Sequence, residues 1–446
     1  MGLKDGFSMT LKKWFQVGVV TLGSIGVLMS APKHPQAATY NPVLKVNNHH
    51  YDVQLSHQPG KTGYALFWYG PYNTSRSTKT RDDNGSRYQN QFARVLQRKT
   101  TKTGTYAKLR INAKTIGWMN VHGLKSVSFS DVAQGTFAQS GVTGSAALIS
   151  AGETTPTVVS NGLALQADQV ANTSDGSISY PTASLQKLFT GAMVEQLFTE
   201  KKLAPTTRVS SFYPELKNAR NITIAQLLTM TAGITGPEWT PNKPVSETAA
   251  VAHAIQTATM TNNHNFQYSD VGYVILAGII AKVTHQSYAR NFQDRILTPA
   301  GMTHSELVNQ STRVLDQPMA QSFNLDGSAV APLSFARLTA LPGAGNLVSN
   351  PVDYMAGVLA LQNGQVLTQK QYRHLTSLGT HYASIYVWRP GVRFINGAFS
   401  GQQYRTGYYA TPGNYHAAVV FANGTTPNGT ALKAITEQLY QVAKYY

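Results

Sequence analysis

A serine and a lysine three residues apart stand at the start of a strongly apolar helical pattern. Ser184 and Lys187 open this pattern, in which apolar residues recur three and four positions apart, as in a helix that buries one face. Residues three apart lie one turn apart on the same face of a helix. A desolvated lysine amine beside a serine hydroxyl can take its proton and make the serine a nucleophile. The apolar positions of this predicted helix are Leu185, Leu188, Phe189, Met193, Val194 and Leu197.

The spacing of this pair is not specific by itself. The same spacing occurs at Ser30 and Lys33, at the end of an apolar N-terminal segment and with a proline between them. Other sequence features must therefore decide whether Ser184 is catalytic. The absence of cysteine from the 446 residues excludes a disulfide framework, a thiolate metal site and a cysteine nucleophile. The histidines show no metal-binding spacing and no nucleotide-binding glycine motif occurs, so we predict neither a metal nor a cofactor.

The N-terminus has the pattern of an export signal. Lys4, Lys12 and Lys13 precede an uncharged, largely apolar run at residues 14–31, with small residues downstream. We predict a signal peptide over residues 1–38 and a secreted protein. The 18-residue run is also long enough for an uncleaved membrane anchor, so that alternative stays open.

Positive charge is concentrated in the first third of the chain. Residues 1–130 carry 18 Lys and Arg against 4 Asp and Glu, whereas residues 131–446 carry 19 against 16. A basic region beside a nearly neutral one indicates an anionic partner, or else a solvated face with no specific partner. For an exported protein, an anionic cell-wall polymer of the teichoic acid kind is a better candidate than nucleic acid, and no nucleic-acid partner is predicted.

Short strands broken by glycine, proline and asparagine fill residues 39–128, which predicts a small all-β barrel. The run from Tyr106 to Trp118 joins a tyrosine-bearing strand to an Ile-Gly-Trp strand, and residues 66–71 supply an earlier aromatic strand. These segments resemble the SH3-like wall-binding modules of the GW type. The expected strands are residues 51–55, 64–68, 92–96, 106–111 and 115–121.

The remaining chain indicates an α+β fold. Residues 129–142 are rich in small residues and are interpreted as a linker. Strand patterns occur at both ends of residues 143–446, with helical patterns between them. We therefore expect one antiparallel sheet built from both ends, with a helical region inserted. The strands are expected at residues 145–150, 157–163, 404–410 and 416–422, and the helices at 224–230, 246–257, 271–283, 288–295, 351–361 and 430–442.

A second motif, Tyr268-Ser-Asp270, precedes the apolar helical run 271–283. A tyrosine near a lysine ammonium can act as a general base. Together with further stretches in a fixed order, both motifs resemble the serine β-lactamase and penicillin-binding protein superfamily. The likeness is to the branch that holds class C β-lactamases, D,D-peptidases and related esterases. The other stretches are residues 224–234, 297–302, 343–349 with Asp353, and 417–423.

The resemblance assigns roles to three residues. Ser184 matches the acylated nucleophile, Lys187 the lysine that activates it, and Tyr268 the tyrosine that shuttles a proton to the leaving group. The backbone N–H of Ser184 would supply one oxyanion donor. The fold implied is a β-lactamase-like antiparallel sheet with an inserted helical region, preceded by the SH3-like barrel.

Two departures from the family pattern concern the substrate. Asp270 stands where the family usually has asparagine, and it could pair with Lys187 and keep that lysine charged. The third motif, a basic residue followed by Thr or Ser and Gly, aligns with Ile395, Asn396 and Gly397, of which only Gly397 fits. The alternative, residues 405–407, has suitable residues but lies about ten positions too late. Asp270, Asn396 and Gly397 are therefore the candidate substrate-binding residues.

The sequence predicts an exported, wall-associated serine hydrolase that works through an acyl-enzyme. A missing cation in the third motif weakens recognition of a substrate carboxylate. This argues against efficient β-lactamase action. The predicted enzyme is D,D-carboxypeptidase-like or esterase-like and acts on a peptidoglycan peptide or an acyl ester. A catalytically impaired wall-binding or scaffold protein and a β-lactamase are the alternatives.

Overall fold

The computed structural model describes residues 39–56, 64–77, 79–261, 263–312, 314–388, 391–426 and 431–446. The predicted signal peptide, residues 1–38, lies outside these ranges. No helix within the described ranges is long and apolar enough to cross a membrane. Residues from Asn41 to Tyr446 form one compact unit.

The N-terminal part of this unit is the all-β module that the sequence predicts. Six antiparallel strands form its sheet in the order β7–β6–β5–β2–β8, with β1 paired to β5. Alternate residues of a strand point to opposite faces, so Val53 and Leu55 on one strand meet Ala93 and Val95 on the next in a shared core. The strands are β1 (Val43–Asn47), β2 (Tyr51–Leu55), β3 (Ala65–Leu66), β4 (Asp83–Asn84), β5 (Phe92–Thr101), β6 (Gly104–Ile111), β7 (Lys114–Asn120) and β8 (Leu124–Val127).

The segment predicted as a linker is instead helical. Helix α1 (Phe129–Gln139) begins at a capping box, in which Ser128 and Asp131 satisfy each other's backbone N–H groups. Val132 and Phe137 are fully buried against the sheet that follows. The small residues at 129–142 therefore allow close packing, as when Gly135 lies against the ring of Phe92. The linker interpretation of this segment was wrong, because composition alone did not reveal its buried helical face.

The large domain has the expected α+β architecture. Its main sheet is antiparallel throughout, in the order β10–β9–β21–β20–β19–β18, so strands from both ends of the domain lie side by side. The strands of the domain are β9 (Gly144–Ile149), β10 (Thr157–Asn161), β11 (Leu163–Leu165), β12 (Val170–Ala171), β13 (Tyr180–Pro181), β14 (Ile234–Thr235), β15 (Thr259–Met260), β16 (Glu306–Leu307), β17 (Leu347–Ser349), β18 (Tyr386–Val387), β19 (Arg393–Phe399), β20 (Tyr404–Ala410) and β21 (Ala417–Ala422).

Helices cover both faces of this sheet. Along β21, Val419 and Phe421 pack on the inserted helical region, while Ala418 and Val420 pack on the first and last helices. The alternation follows from the two-residue repeat of a strand. The helices after α1 are α2 (Lys187–Thr199), α3 (Ile224–Leu228), α4 (Glu247–Thr257), α5 (Val271–Thr284), α6 (Tyr288–Phe292), α7 (Thr298–Ala300), α8 (Phe335–Thr339), α9 (Pro351–Ala360), α10 (Gln369–Ser377) and α11 (Leu432–Tyr445).

The end of α11 contacts the β-module. Arg94 donates to the backbone carbonyl of Tyr446 at 2.7 Å, and Arg110 donates to that of Tyr445 at 2.5 Å. The hydroxyl of Tyr446 donates to the carbonyl of Phe92 at 2.6 Å. These bonds join the module to the same helix that covers one face of the main sheet.

Candidate active site

Ser184 lies in a single 3-10 turn, Ala183–Gln186, that leads directly into α2. The residue before it, Ala183, has a φ of +48°, in the left-handed region that residues with a side chain rarely adopt. Strained backbone of this kind persists only where the surrounding structure holds it in place. The turn leaves Ser184 partly exposed at the floor of a cleft.

Lys187 lies one turn further on and is fully buried. Its Nζ donates to Ser184 Oγ at 2.9 Å and to the backbone carbonyl of Ala344 at 2.9 Å, and it lies 2.8 Å from Asp270 Oδ1. An ammonium group has three protons to donate; two of them are hydrogen-bonded here, and its charge is paired with Asp270. Burial by itself lowers the pKa of Lys187, but the negative charge of Asp270 and the contact with Tyr268 outweigh burial and raise it. Lys187 is therefore a cation at neutral pH.

Tyr268 is the third side chain of this end of the cleft. It belongs to the loop before α5, and its hydroxyl lies 2.6 Å from Ser184 Oγ. The side chain is 40% exposed, so the hydroxyl is accessible from the cleft. The Lys187 ammonium lies 5.3 Å from the centre of the tyrosine ring. Ser184, Lys187 and Tyr268, called here the acylating end, thus form a connected set, with Asp270 behind Lys187.

Strand β19 forms the other wall of the cleft beside Ser184. Gly397 approaches the serine so closely that a β-carbon there would lie 2.8 Å from the backbone N of Ser184. Ile395 points to the same side and is buried in the core, 1% exposed. Asn396 lines the cleft, and its Oδ1 is buried without a hydrogen-bond partner among the described residues. Residues 395–397, called here the anchoring strand, therefore lie beside the serine, whereas residues 405–407 lie on β20.

The site also contains residues to which the sequence assigned no role. Buried Ala344 contributes a backbone carbonyl to Lys187, which no side-chain pattern can reveal. Arg405, considered only as an alternative third motif, lines the cleft from β20. Lys433 and Trp388 line its far end, and their positions depend on strand and helix packing that local sequence does not specify.

The arrangement suits nucleophilic acyl transfer. A nucleophile and its proton acceptor must lie within about 2.6–3.2 Å of each other, and both neighbours of Ser184 Oγ do so. Among the described residues, no group of three or more histidine and carboxylate side chains could hold a metal ion.

Two protein-family models match separate parts of the chain. Residues 129–443 match the beta-lactamase family, and residues 45–125 match the GW (Gly-Tryp) dipeptide domain. The expected superfamily and module are thereby confirmed.

Individual proteins show more distant similarity. The chain is 27% identical over 237 residues to penicillin-binding protein PbpX of Bacillus subtilis, covering 53% of this chain and 55% of that protein. It is 26% identical over 274 residues to the teichoic acid D-alanine hydrolase of Staphylococcus aureus, covering 59% of this chain and 66% of that protein. The matches thus span between about half and two thirds of these relatives.

Solved structures agree on the fold. The crystal structure of FmtA from Staphylococcus aureus matches with a TM-score of 0.58 and 22% identity, covering 70% of this chain and 86% of that one. D-amino acid amidase from Ochrobactrum anthropi matches with a TM-score of 0.60 and 20% identity, covering 70% and 97%. With the family match extending over most of the chain, this protein belongs to the beta-lactamase family, a superfamily of serine hydrolases.

Proposed function

We propose that this chain is a serine hydrolase that forms an acyl-enzyme at Ser184. The observation that carries the proposal is the position of Ser184 Oγ, 2.9 Å from Lys187 Nζ and 2.6 Å from the Tyr268 hydroxyl. This geometry fits a nucleophile whose proton is taken by one neighbour while the other supplies positive charge.

The charge of Lys187 makes Tyr268 the proposed general base. The Tyr268 oxygen takes the proton as Ser184 Oγ bonds to the substrate carbonyl carbon. The same proton then passes to the departing oxygen as the scissile bond breaks. Water next gives a proton to Tyr268 and attacks the acyl carbon, and the proton returns to Ser184 as the acid is released. The Lys187 ammonium supplies positive charge beside these transfers, and the Ser184 N–H stabilises the oxyanion.

A D-alanyl ester is the substrate that this cleft fits best. The family's anchoring cation is replaced by buried Ile395, which cannot bind a substrate carboxylate. The Asp270 side chain, which is paired with Lys187 and 31% exposed, adds a carboxylate to the cleft and favours an acyl group bearing a free ammonium. A D-alanyl ester has an ammonium and no carboxylate, and a similar protein is named a teichoic acid D-alanine hydrolase. A D,D-carboxypeptidase, by contrast, must bind a terminal carboxylate.

We further propose that the protein is exported and held at the cell wall. The proposed division is a signal peptide at 1–38, a wall-binding module at 39–128 and a hydrolase domain at 143–446. The module contains crowded cations, since burial and then repulsion from Arg76 and Lys108 lower the pKa of Lys99. Such crowding supports binding of an anionic wall polymer. The whole chain should sediment with teichoic acid-bearing walls at low salt and be released at high salt.

Reactivity of Ser184 tests the enzymatic proposal. The wild-type protein and Ser184→Ala are incubated separately with a fluorophosphonate, a fluorescent penicillin and D-alanylated teichoic acid. We expect a fluorophosphonate adduct by intact mass and release of D-alanine, both lost in Ser184→Ala. Fast penicillin turnover would instead indicate a β-lactamase. No serine-dependent reaction with any of the three would indicate an inactive binding protein.

A further inference from the structure

The cleft continues well beyond the reacting serine. Its volume is about 1080 Å³, at the upper limit of the 300–1,000 Å³ or so of small-molecule sites. It extends from Ser184 past β19 to the first turn of α11. A single D-alanyl group leaves most of this space for the remainder of the substrate.

The two parts of the cleft differ in charge. Near the serine, Asp270 and Glu238 are the carboxylates, and each is paired with a cation, Lys187 and Arg337 respectively. The far part, called here the basic end, is lined by Arg405, Lys433 and Trp388.

Within the described part of the chain, no carboxylate is paired with the cations of the basic end. The Arg405 guanidinium donates to the carbonyl of Tyr404 at 2.9 Å, and burial lowers its pKa. The ammonium of Lys433 lies 4.3 Å from the ring centres of both Trp388 and Phe394. Within the described ranges, neither cation forms an ion pair with Asp or Glu. A partly desolvated guanidinium and an ammonium held on aromatic rings therefore retain charge for an anionic ligand.

Because of its position, the basic end cannot bind a group that is directly attached to the scissile bond. Arg405 pairs with Ala398 across β19 and β20, and directly paired residues share one face of a sheet. Gly397 points to Ser184, so its neighbour Ala398 and Arg405 lie on the opposite face. An anion at the basic end is thus separated from the serine by the strand itself. A terminal carboxylate one residue from the reacting carbonyl would have to bind on the serine side.

We propose that Arg405 and Lys433 bind a backbone phosphate of a polyol-phosphate chain whose D-alanyl ester is attacked by Ser184. This inference rests on the proposed function and specifies how its polymeric substrate is held. A guanidinium fork binds phosphate in a bidentate manner, and a flexible ammonium adds a second contact. The repeating charge of such a polymer places phosphates all along the chain, so a phosphate that is further along the chain than the reacting ester can bind at the basic end and position that ester.

Kinetics with two substrates test the proposal. Full-length Arg405→Gln, Lys433→Gln and the double variant are compared on D-alanylated poly(glycerol phosphate) and on the phosphate-free glycerol ester of D-alanine. We expect kcat/KM on the polymer to fall about tenfold per lost cation relative to kcat/KM on the small ester. The matched controls are Arg373→Gln and Lys370→Gln on the exposed face of α10, which should leave this ratio unchanged. Added salt should lower kcat/KM on the polymer, relative to kcat/KM on the small ester, more for the wild type than for the double variant.

Equal losses on both substrates, or no loss on either, would overturn the proposal. Loss of activity on an acyl-D-alanyl-D-alanine peptide in the same variants would assign the site to a carboxylate, which also contradicts it. If the wild type hydrolyses neither ester, the proposed function is wrong. The phosphate site is then tested by binding of the polymer alone. Titration of poly(glycerol phosphate) should then change tryptophan fluorescence in a way that Trp388→Phe and the double variant abolish. A titration without a Trp388-dependent change would refute the phosphate site.

Discussion

The two walls beside the serine are built in opposite ways. At the acylating end, Ser184, Lys187 and Tyr268 form a continuous network, and the charge of the lysine is paired with Asp270. On the anchoring strand, Ile395 is apolar and Asn396 leaves a buried oxygen without a partner among the described residues. The groups proposed for acyl transfer are thus held by one another, while residues 395–397 offer no cation to a substrate carboxylate.

The difference has an energetic basis. A buried ammonium is tolerated only when its charge and all its protons are compensated, so Lys187 requires Asp270 and Ala344 as well as the serine. Buried Ile395 on the anchoring strand has no such requirement and needs only to pack.

The largest effect is expected from Tyr268→Phe. The substitution removes the hydroxyl 2.6 Å from Ser184 Oγ but keeps the ring, which is 40% exposed, so folding should be unaffected. Loss of a general base lowers rates by 10²–10⁴, and we expect kcat on a D-alanine ester to fall about 10³-fold. The control is Tyr386→Phe, which removes a hydroxyl from the same cleft without touching the serine. A drop below tenfold would assign the base to another group.

Gly397→Ala should have the next largest effect, and it tests the closeness of the two walls. The added β-carbon would lie 2.8 Å from the Ser184 N and 2.8 Å from the carbonyl O of Thr182, so β19 must move away. A displacement near 1 Å at a reacting centre costs about 10²-fold, and we expect that loss in acylation by a fluorophosphonate. Gly401→Ala, where a β-carbon meets nothing within 4 Å, is the control. Unchanged labelling of Gly397→Ala would show that β19 does not support the reacting geometry.

The sequence was sufficient to predict much of this molecule. Helical periodicity after Ser184, the strands at both ends of the domain and the all-β module all appear in the structure, because each depends on local patterns of apolar residues. The family resemblance supplied the order of the motifs. Helix α1 was missed because its buried face consists of few, mostly small residues, which resemble a linker in composition.

The site was predictable only in part, for a physical reason. Ser184 and Lys187 are neighbours on one turn, so spacing reveals them. The contact of Lys187 with Ala344 and the approach of Arg405 and Lys433 depend on chain segments far apart in sequence. Such contacts arise from tertiary packing and leave no local pattern.

Asp270→Asn should lower the free energy of unfolding and leave the fold unchanged. The ion pair with Lys187 is lost while the ammonium stays buried, and breaking a buried pair costs about 3–5 kcal/mol. Because Asp270 is 31% exposed, we expect a smaller loss in free energy of unfolding, about 2 kcal/mol, measured by denaturant titration. Asp294→Asn, which breaks the exposed pair with Arg290, should cost below about 0.5 kcal/mol.

The pH dependence of that loss has a definite sign. The pKa of Lys187 is raised in the folded protein, so its charged form contributes fully below the unfolded lysine value of about 10.4. The contribution disappears only as the pH rises through the higher folded value. The stability difference between wild type and Asp270→Asn should thus be constant between about pH 6 and pH 9. A difference that shrinks over this range would mean that Lys187 is neutral in the resting protein.

The smallest effect is expected from Asn396→Ala, one residue from Gly397 on the same strand. Its side chain points away from the serine and its Oδ1 has no partner among the described residues, so its removal breaks no hydrogen bond. We expect kcat/KM on a D-alanine ester to change less than about threefold, because the Asn396 side chain should make no contact with the transition state. A loss as large as that of Gly397→Ala would make Asn396 a substrate ligand and give the anchoring strand a binding role after all.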